Sequence, residues 1–340
     1  MGQKGTYPVI DMHCDLLSFL TEEKGRDPLS ALSNASLPQL KCGGVKMQVM
    51  AIFTSNKPSA AASLRQQMMT FLQLQKKYPD YIKPIPQSMH LTLDDSDRTY
   101  ILPAFENAAG FAQQSQSISI VLEELSTIKK ILGPIAYISM TWDGENRFGG
   151  GVGSSVGLKN DGQYLLEWMN EAHIPIDLSH ASDFLIDDIL SYIDKKCYNI
   201  PVMASHSNFR QVTPMQRNLS DDMAREIIQR KGLIGLNFFC HFSGGKVAKD
   251  ILSHIDHAMN LKAEDSLCMG ADFFCDKDLT YIKQKYNSDM CFYPELKNSS
   301  CYPWLFSHAE ETLGLDHALI EKIASGNAKK FLERILQRQR

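Results

Sequence analysis

Short apolar runs alternate with segments of helical periodicity along the whole chain. The runs are Val9–Met12, Val45–Phe53, Tyr100–Phe105, Ala136–Thr141, Ile174–Leu178, Pro201–Ala204, Leu233–Phe239 and Leu267–Phe273. Between them, apolar residues recur every three to four positions over Ala60–Tyr78, Ile118–Leu132, Gln163–Ala172, Asp183–Lys195, Asp221–Arg230 and Lys246–Leu261. Ser182-Asp183 and Ser220-Asp221-Asp222 supply helix-start chemistry. The first connection, through Pro38–Lys41, reads as a shorter helix or turn, and a final helix is predicted over Ala318–Leu336.

Near-continuous apolar strands alternating with helices imply parallel strands covered on both faces. Eight such units predict an α/β fold, a closed (β/α)8 TIM barrel rather than an open doubly wound sheet. No linker-like stretch or internal repeat divides the chain, so residues 1–340 are expected to form a single domain. Phe274–Asp316 breaks the rhythm, being aromatic, Cys-bearing and rich in Asn and Ser. It is expected to be a long excursion after strand 8 that covers the site.

Of the 340 residues, 44% are hydrophobic and 22% charged, a balance that excludes disorder and collagen-like repeats. The net charge of −4, without a basic patch carrying interleaved aromatics, argues against nucleic acid as a partner. No run approaches the roughly 18 apolar residues of a membrane span. The eight cysteines form no C-x-x-C pair and several sit inside apolar runs. That favours a reducing compartment, with cytoplasmic localisation expected and a removed signal peptide left open. Met1-Gly2 with Thr6 fits only the loose N-myristoylation pattern.

The candidate chemistry collects where the apolar runs end. The first closes on Asp11, His13 and Asp15, the third on Glu106, the fifth on His180, the sixth on His206 and the eighth on Asp272. In a barrel those ends form one mouth, where active sites lie. Imidazoles with carboxylates are a ligand set for Zn²⁺, Mn²⁺ or iron, with no thiolate needed. His13 and Asp15, two residues apart, would project on one side of an extended strand end and hold one ion. His180 and His206 would hold a second, and Glu106 has two oxygens to bridge the pair at about 3.5–4 Å. Uncompensated, such carboxylates would cost several kcal/mol apiece to desolvate.

Each residue also has a structural reading. A strand-end His is commonly a hydrogen-bonded core or rim residue, Asp11 could hold a turn, and Glu106 could cap a helix. Their joint placement favours the metal site. His254 and His257 share a helix without a third partner, and His90, His173, His241 and His308 are isolated, so these are read as non-ligands. Gly153-Ser154-Ser155-Val156-Gly157 matches G-x-S-x-G, but lies in a glycine-rich run without the strand and immediate helix of a nucleophile elbow. G-x-G-x-x-G, Walker and H-E-x-x-H motifs are absent.

Several motifs together resemble the membrane (renal) dipeptidase family, in its microbial-type branch. They are Asp11-Met12-His13-Cys14-Asp15, Leu37-Pro38-Gln39-Leu40 with Gly43-Gly44-Val45, Phe105-Glu106-Asn107, Ile176-Asp177-Leu178-Ser179-His180 and Ser205-His206-Ser207 with Arg217-Asn218. Gly270-Ala271-Asp272-Phe273 and Gly326-Asn327-Ala328 complete the set. The family comprises binuclear zinc peptidases of the amidohydrolase superfamily with a (β/α)8 barrel, often homodimeric. The resemblance implies that His13 and Asp15 bind one zinc, His180 and His206 the other, and Glu106 both. It implies that Asp272 carries protons to and from the attacking water, and that Arg217 binds the carboxylate of a small peptide substrate. Glu123 and Glu124, rivals for the bridging role, fall mid-helix by pattern.

The chain departs from the animal members at Trp142, where they place a histidine that supports the tetrahedral intermediate. Trp142 and Asn146 are the expected replacements, contacting the substrate and supporting the oxyanion. Asp272-Phe273-Phe274-Cys275 stands where the family usually has Asp-Phe-Asp-Gly. The expected activity is hydrolysis of dipeptides, including those with a D-residue at the C-terminal position, with two Zn²⁺ per chain. Zinc over manganese or iron is implied by the resemblance. The alternatives are another amide or a lactone as substrate, a metal-retaining protein that binds without turnover, and a serine hydrolase acting through Ser155.

Overall fold

Apolar residues occupy nearly every position of the strands, and the strands are parallel throughout. The computed structural model describes residues 7–86, 88, 90–93, 97–111, 115–277, 284–286, 288 and 290–339. In chain order the strands are β1 (Val9–Cys14), β2 (Val45–Phe53), β3 (Ile82–Lys83), β4 (Thr99–Glu106), β5 (Ile138–Ser139), β6 (Ile176–Asp177), β7 (Val202–Ala204), β8 (Leu233–Leu236) and β9 (Leu267–Met269). β1 pairs with β2 and β9, β2 with β4, and each later strand with the next. Eight strands therefore close into a barrel, the expected (β/α)8 architecture. β3, two residues against the start of β4, lies too short for the apolar pattern to reveal.

All eight expected strands are present, several trimmed to two or three paired residues. The helices Ala60–Lys77, Ile118–Leu132, Asn160–Ala172, Asp183–Lys196, Asp221–Gln229 and Asp250–Asn260 follow the periodic segments closely. Ser182 and Ser220 cap their helices by accepting from Leu185 and Met223 N–H, and Ser36 with Gln39 forms a capping box on Leu37–Cys42. The expected single helix over Ala318–Leu336 is instead His317–Glu321, a π-turn Lys322–Gly326 and Asn327–Arg338. At the break, Asn327 Nδ2 donates to the carbonyls of Glu264 and Leu267 at 2.8 Å each, tying the helix to the start of β9.

Ile10, Met12, Met47, Val49, Leu102 and Met203 share one buried cluster with Phe331, Leu332 and Ile335 of the last helix. Gly235 in β8 and Gly270 after β9 face Ser205 so closely that a Cβ on either would lie 1.9 Å from its carbonyl oxygen. Charge also stands within the barrel strands. Asp11 stands within β1 and Asp177 within β6, both buried. Each is saturated with donors. Asp11 accepts from the N–H of His13 and Ala271 and from Tyr302 Oη, and Asp177 from Ser139 Oγ, Ser205 Oγ and two backbone N–H groups.

Among the described residues no helix is long and apolar enough to cross a membrane. Met1, Gly2 and Thr6, the loose acylation pattern, lie outside the described residues. Beyond β9, the stretch from Phe274 carries short turns at Pro294–Leu296 and Ser299–Cys301 and a helix Tyr302–Leu313.

Candidate metal centre and active site

Six side chains meet at the C-terminal ends of the barrel strands. His13 Nε2 lies 3.4 Å from Glu106 Oε2 and 3.5 Å from Asp272 Oδ1. Glu106 Oε1 lies 3.0 Å from His180 Nε2 and 3.9 Å from His206 Nε2, and those two nitrogens are 2.9 Å apart. Three overlapping groups have ligand atoms within 4.8 Å of one another: His13/Asp15/Glu106, Glu106/His180/His206 and His13/His206/Asp272. Glu106 belongs to the first two. Asp15 reaches the centre from the turn that starts helix Leu16–Glu22, not from an extended strand end as expected. The register of β1 against β2 shifts between Asp11 and Cys14, an irregularity of the kind that re-aims side chains beside sites.

Hydrogen bonds behind the histidines fix their tautomers. Tyr137 Oη has one proton, which it donates to the Met12 carbonyl at 3.0 Å, so at 2.7 Å it accepts from His13 Nδ1. Ser205 Oγ donates to the Asp177 carboxylate at 2.7 Å and therefore accepts from His206 Nδ1, also at 2.7 Å. Both Nε2 atoms are thus lone pairs pointing inward. His13 Nε2 and Asp15 Oδ1 are buried without a hydrogen-bond partner. Imidazole nitrogens and carboxylate oxygens converging in this way are the donor set of a divalent cation.

Without an ion, the electrostatics hold protons in its place. Burial pushes the His13 pKa down, yet Glu106, Asp272 and Asp15 more than offset it and raise it to about 10. Burial and Glu106 raise the Asp15 carboxyl well above its ordinary value. Burial likewise raises Asp272, against the pull of His13. Glu106 goes the other way, held well below the carboxylate range by His13 and His180 despite its burial. Burial holds His206 neutral. The centre gathers three buried carboxylates, Asp15, Glu106 and Asp272, whose charge a divalent cation would balance in place of these protons.

Arg217 is buried beside this centre. Nη1 donates to Ser207 Oγ at 2.7 Å and Nη2 to the His206 carbonyl at 3.0 Å, while Nε has no partner. Three of its five N–H donors are left for a ligand. Asn237 donates to the same His206 carbonyl at 3.2 Å and to Asp272 Oδ2 at 2.9 Å, which leaves Asp272 Oδ1 facing His13. His180 and Asp272 sit in left-handed backbone (φ 66 and 63), as does Asn107 after Glu106 (φ 73). Non-glycine residues in that region are uncommon and cluster at functional sites.

Trp142 lies 6.2 Å from the His180 ring and edge-on to Phe53, at the wall of the mouth. The expectation for Asn146 does not hold. Its amide N–H groups donate to Asn107 Oδ1 at 2.9 Å and the Met140 carbonyl at 2.7 Å, and its oxygen accepts from Phe148 and Gly149 N–H. No donor remains for an oxyanion, and Asn146 braces the loop instead. Ser155 lies in an irregular run, with the next helix starting at Asn160 and no strand leading in, so the nucleophile elbow is absent. His254 is a core residue bonded to Phe209 N–H and Thr213 Oγ1, and His257 pairs with Asp221.

Four polar residues around the centre escaped the sequence reading: Tyr137, Asp143, Asp177 and Asn237. Asp143 Oδ1 stands 3.7 Å from His180 Nδ1, and Oδ2 pairs with Lys285 Nζ at 2.7 Å. Burial works against its ionisation, but His180 and Lys285 hold it well below the carboxylate range. Two left a signal: Asp143 directly follows Trp142 at the end of the fourth apolar run, and Asp177 stands in the motif that ends on His180.

Comparison with known proteins agrees with the geometry. Curated relatives from Klebsiella pneumoniae, Acinetobacter calcoaceticus and Schizosaccharomyces pombe match over stretches spanning 52%, 42% and 35% of their own lengths. The first, an uncharacterized protein of the pqqA 5' region, is 31% identical over 147 residues, 39% of this chain. The fold superposes on the crystal structure of dipeptidase AC, a metallopeptidase, with a TM-score of 0.82 at 22% identity, covering 97% of this chain and 99% of that one. It also superposes on a metallopeptidase from Rhodobacter sphaeroides, liganded with a phosphinate mimic of L-Ala-D-Ala, with a TM-score of 0.79 at 21% identity, covering the same shares. The family profile of membrane dipeptidase, peptidase family M19, matches residues 4–340, and the chain belongs to that family.

Proposed function

We propose that this protein is a metal-dependent dipeptidase whose whole chain forms one catalytic domain. The observation that carries the reading is the convergence of the Nε2 atoms of His13, His180 and His206 on the single carboxylate of Glu106. His13 and Asp15 would hold one divalent ion, His180 and His206 a second, and Glu106 would contribute an oxygen to each. Two zinc ions fit this nitrogen and oxygen set, which also admits manganese or iron. Such ions supply Lewis acidity, acidifying water and polarising a carbonyl.

The rest of the chemistry falls to the chain. Asp272, with Oδ2 held by Asn237, takes a proton at Oδ1 from the attacking water and returns it to the leaving amine. Arg217 presents its remaining N–H donors to the substrate's terminal carboxylate, which restricts the site to short peptides. Trp142 forms an apolar wall against the substrate's first residue. A D-residue at the second position is within the proposed range. The eight cysteines, all unpaired, support a reducing compartment such as the cytoplasm, and a homodimer is the proposed assembly.

Metal content per chain, with Ala-Ala and Ala-D-Ala hydrolysis before and after chelation, tests the reading. About two zinc ions and an activity that zinc restores would support it. Two ions without dipeptide turnover would move the assignment to another amide, a lactone or a binding role. No bound metal after zinc is supplied would overturn it.

A further inference from the structure

A dipeptide carries an ammonium at one end as well as a carboxylate at the other, and Arg217 answers only the carboxylate. Across the same mouth stands Asp143, on the loop that leaves β5. The two groups flank one pair of histidines. Asp143 lies 3.7 Å from the outer nitrogen of His180, Arg217 donates to the carbonyl of His206, and the two imidazoles meet at 2.9 Å. The Asp143 side chain is only 22% exposed, so a charge paired there is largely withdrawn from water. Its backbone is fixed as well: Asn56 Nδ2 donates to the Asp143 carbonyl at 3.3 Å, and Asp143 bridges to Val152.

The structure already places a primary ammonium on this carboxylate. Lys285 Nζ, from the stretch beyond β9, lies 2.7 Å from Asp143 Oδ2. An alkylammonium on a lysine stem and the α-ammonium of a peptide are the same chemical group, so a carboxylate that seats one seats the other.

Resting on the dipeptidase reading, we propose that Asp143 is the subsite for the substrate's α-ammonium, and that Lys285 occupies it until a free amino terminus displaces it. The site then selects its substrates at both ends, rejecting N-blocked dipeptides and the interior of longer chains. Lys285 acts as a built-in competitor, which lowers affinity for substrates with a free amine and leaves blocked ones untouched.

Calorimetric binding tests this without turnover. The probes are the phosphinate analogue of Ala-Ala with a free amine and its N-acetyl form, titrated into the metal-loaded full chain. The wild type should bind the free-amine form about 10-fold or more tightly than the acetylated one, the range of a charge-assisted pair. Asp143→Asn should remove most of that preference and spare the acetylated form. Lys285→Ala should tighten the free-amine form several-fold and leave the acetylated form unchanged. Equal weakening of both probes by Asp143→Asn, accompanied by lost metal, would mean that Asp143 merely orients His180 and would overturn the proposal. So would a Lys285→Ala protein that binds the free-amine form no better; this variant decides alone if Asp143→Asn does not fold. The expected preferences in a protein that hydrolyses no dipeptide would sink the proposed function and leave this subsite standing.

Discussion

The hydroxyl of Tyr137 accepts the Nδ1 proton of His13 at 2.7 Å and hands its own proton to the Met12 carbonyl, two residues of one strand bound by a single phenol. That bond decides which nitrogen of His13 is free for a metal. Tyr137→Phe should leave a buried N–H unsatisfied and the ring unaligned. The expected result is zinc affinity lower by about 10–100-fold and stability lower by about 1–3 kcal/mol. Equilibrium dialysis against zinc, with thermal unfolding alongside, measures both. An unchanged affinity would mean that the tautomer is set elsewhere.

Glu106 is shared by two of the three candidate ligand groups, so its loss should not be confined to one ion. Glu106→Gln should reduce bound metal at both positions together and lower turnover by about 100-fold or more, because the neighbouring buried imidazoles lose their anion. Full metal content with full turnover would refute the shared role.

Asp272 should separate chemistry from metal binding. Asp272→Asn keeps the shape and the hydrogen bond from Asn237 within reach but cannot carry a proton. We expect kcat to fall by about 10²–10⁴-fold with bound metal largely retained. Asn237→Leu, which frees Asp272 to rotate, should lower kcat by less and leave KM nearly unchanged. A loss seen wholly in KM would argue for substrate binding instead.

The acid stability of the fold should depend on His254, away from the candidate centre. Burial lowers its pKa to about 4, and it is held neutral by the Phe209 N–H and Thr213. The unfolded chain takes up a proton below about 6.5, while the folded one resists until about 4. Stability from this source is therefore complete above pH 6.5 and drains away as pH falls from 6.5 to 4, by about 3 kcal/mol at most. Replacing His254 with Gln should flatten that decline in denaturant titrations across this window, whatever it does to stability at neutral pH.

The barrel was legible because buried parallel strands are apolar runs, and their ends were legible because ionisable residues appear where the apolar runs stop. His13, Glu106, His180, His206 and Asp272 all lie at such ends. What the pattern could not give is the layer behind them. Tyr137 and Asn237 sit inside apolar runs and read as core, and Asp177 looks like a strand interruption until Ser139 and Ser205 are seen to donate to it. Asn146 shows the opposite failure: a polar residue in a promising place, with both donors committed to Asn107 and the Met140 carbonyl. The π-turn at Lys322–Gly326 was invisible because it answers to hydrogen bonds with Glu264 and Leu267, not to the helical period.

The left-handed backbone at Asn107, His180 and Asp272 bears on how far this molecule can be hardened against heat. Glycine at such positions relieves roughly 1–2 kcal/mol of steric conflict in general, so a search for thermostable variants would visit all three. At Asn107 the route is narrowed by the side chain, which bonds Asn56 and Asn146. At His180 and Asp272 it is closed, since removing the strain removes the imidazole and the carboxylate that the strained backbone aims inward. Heat tolerance in a working version of this barrel has to be built at the other end of the strands.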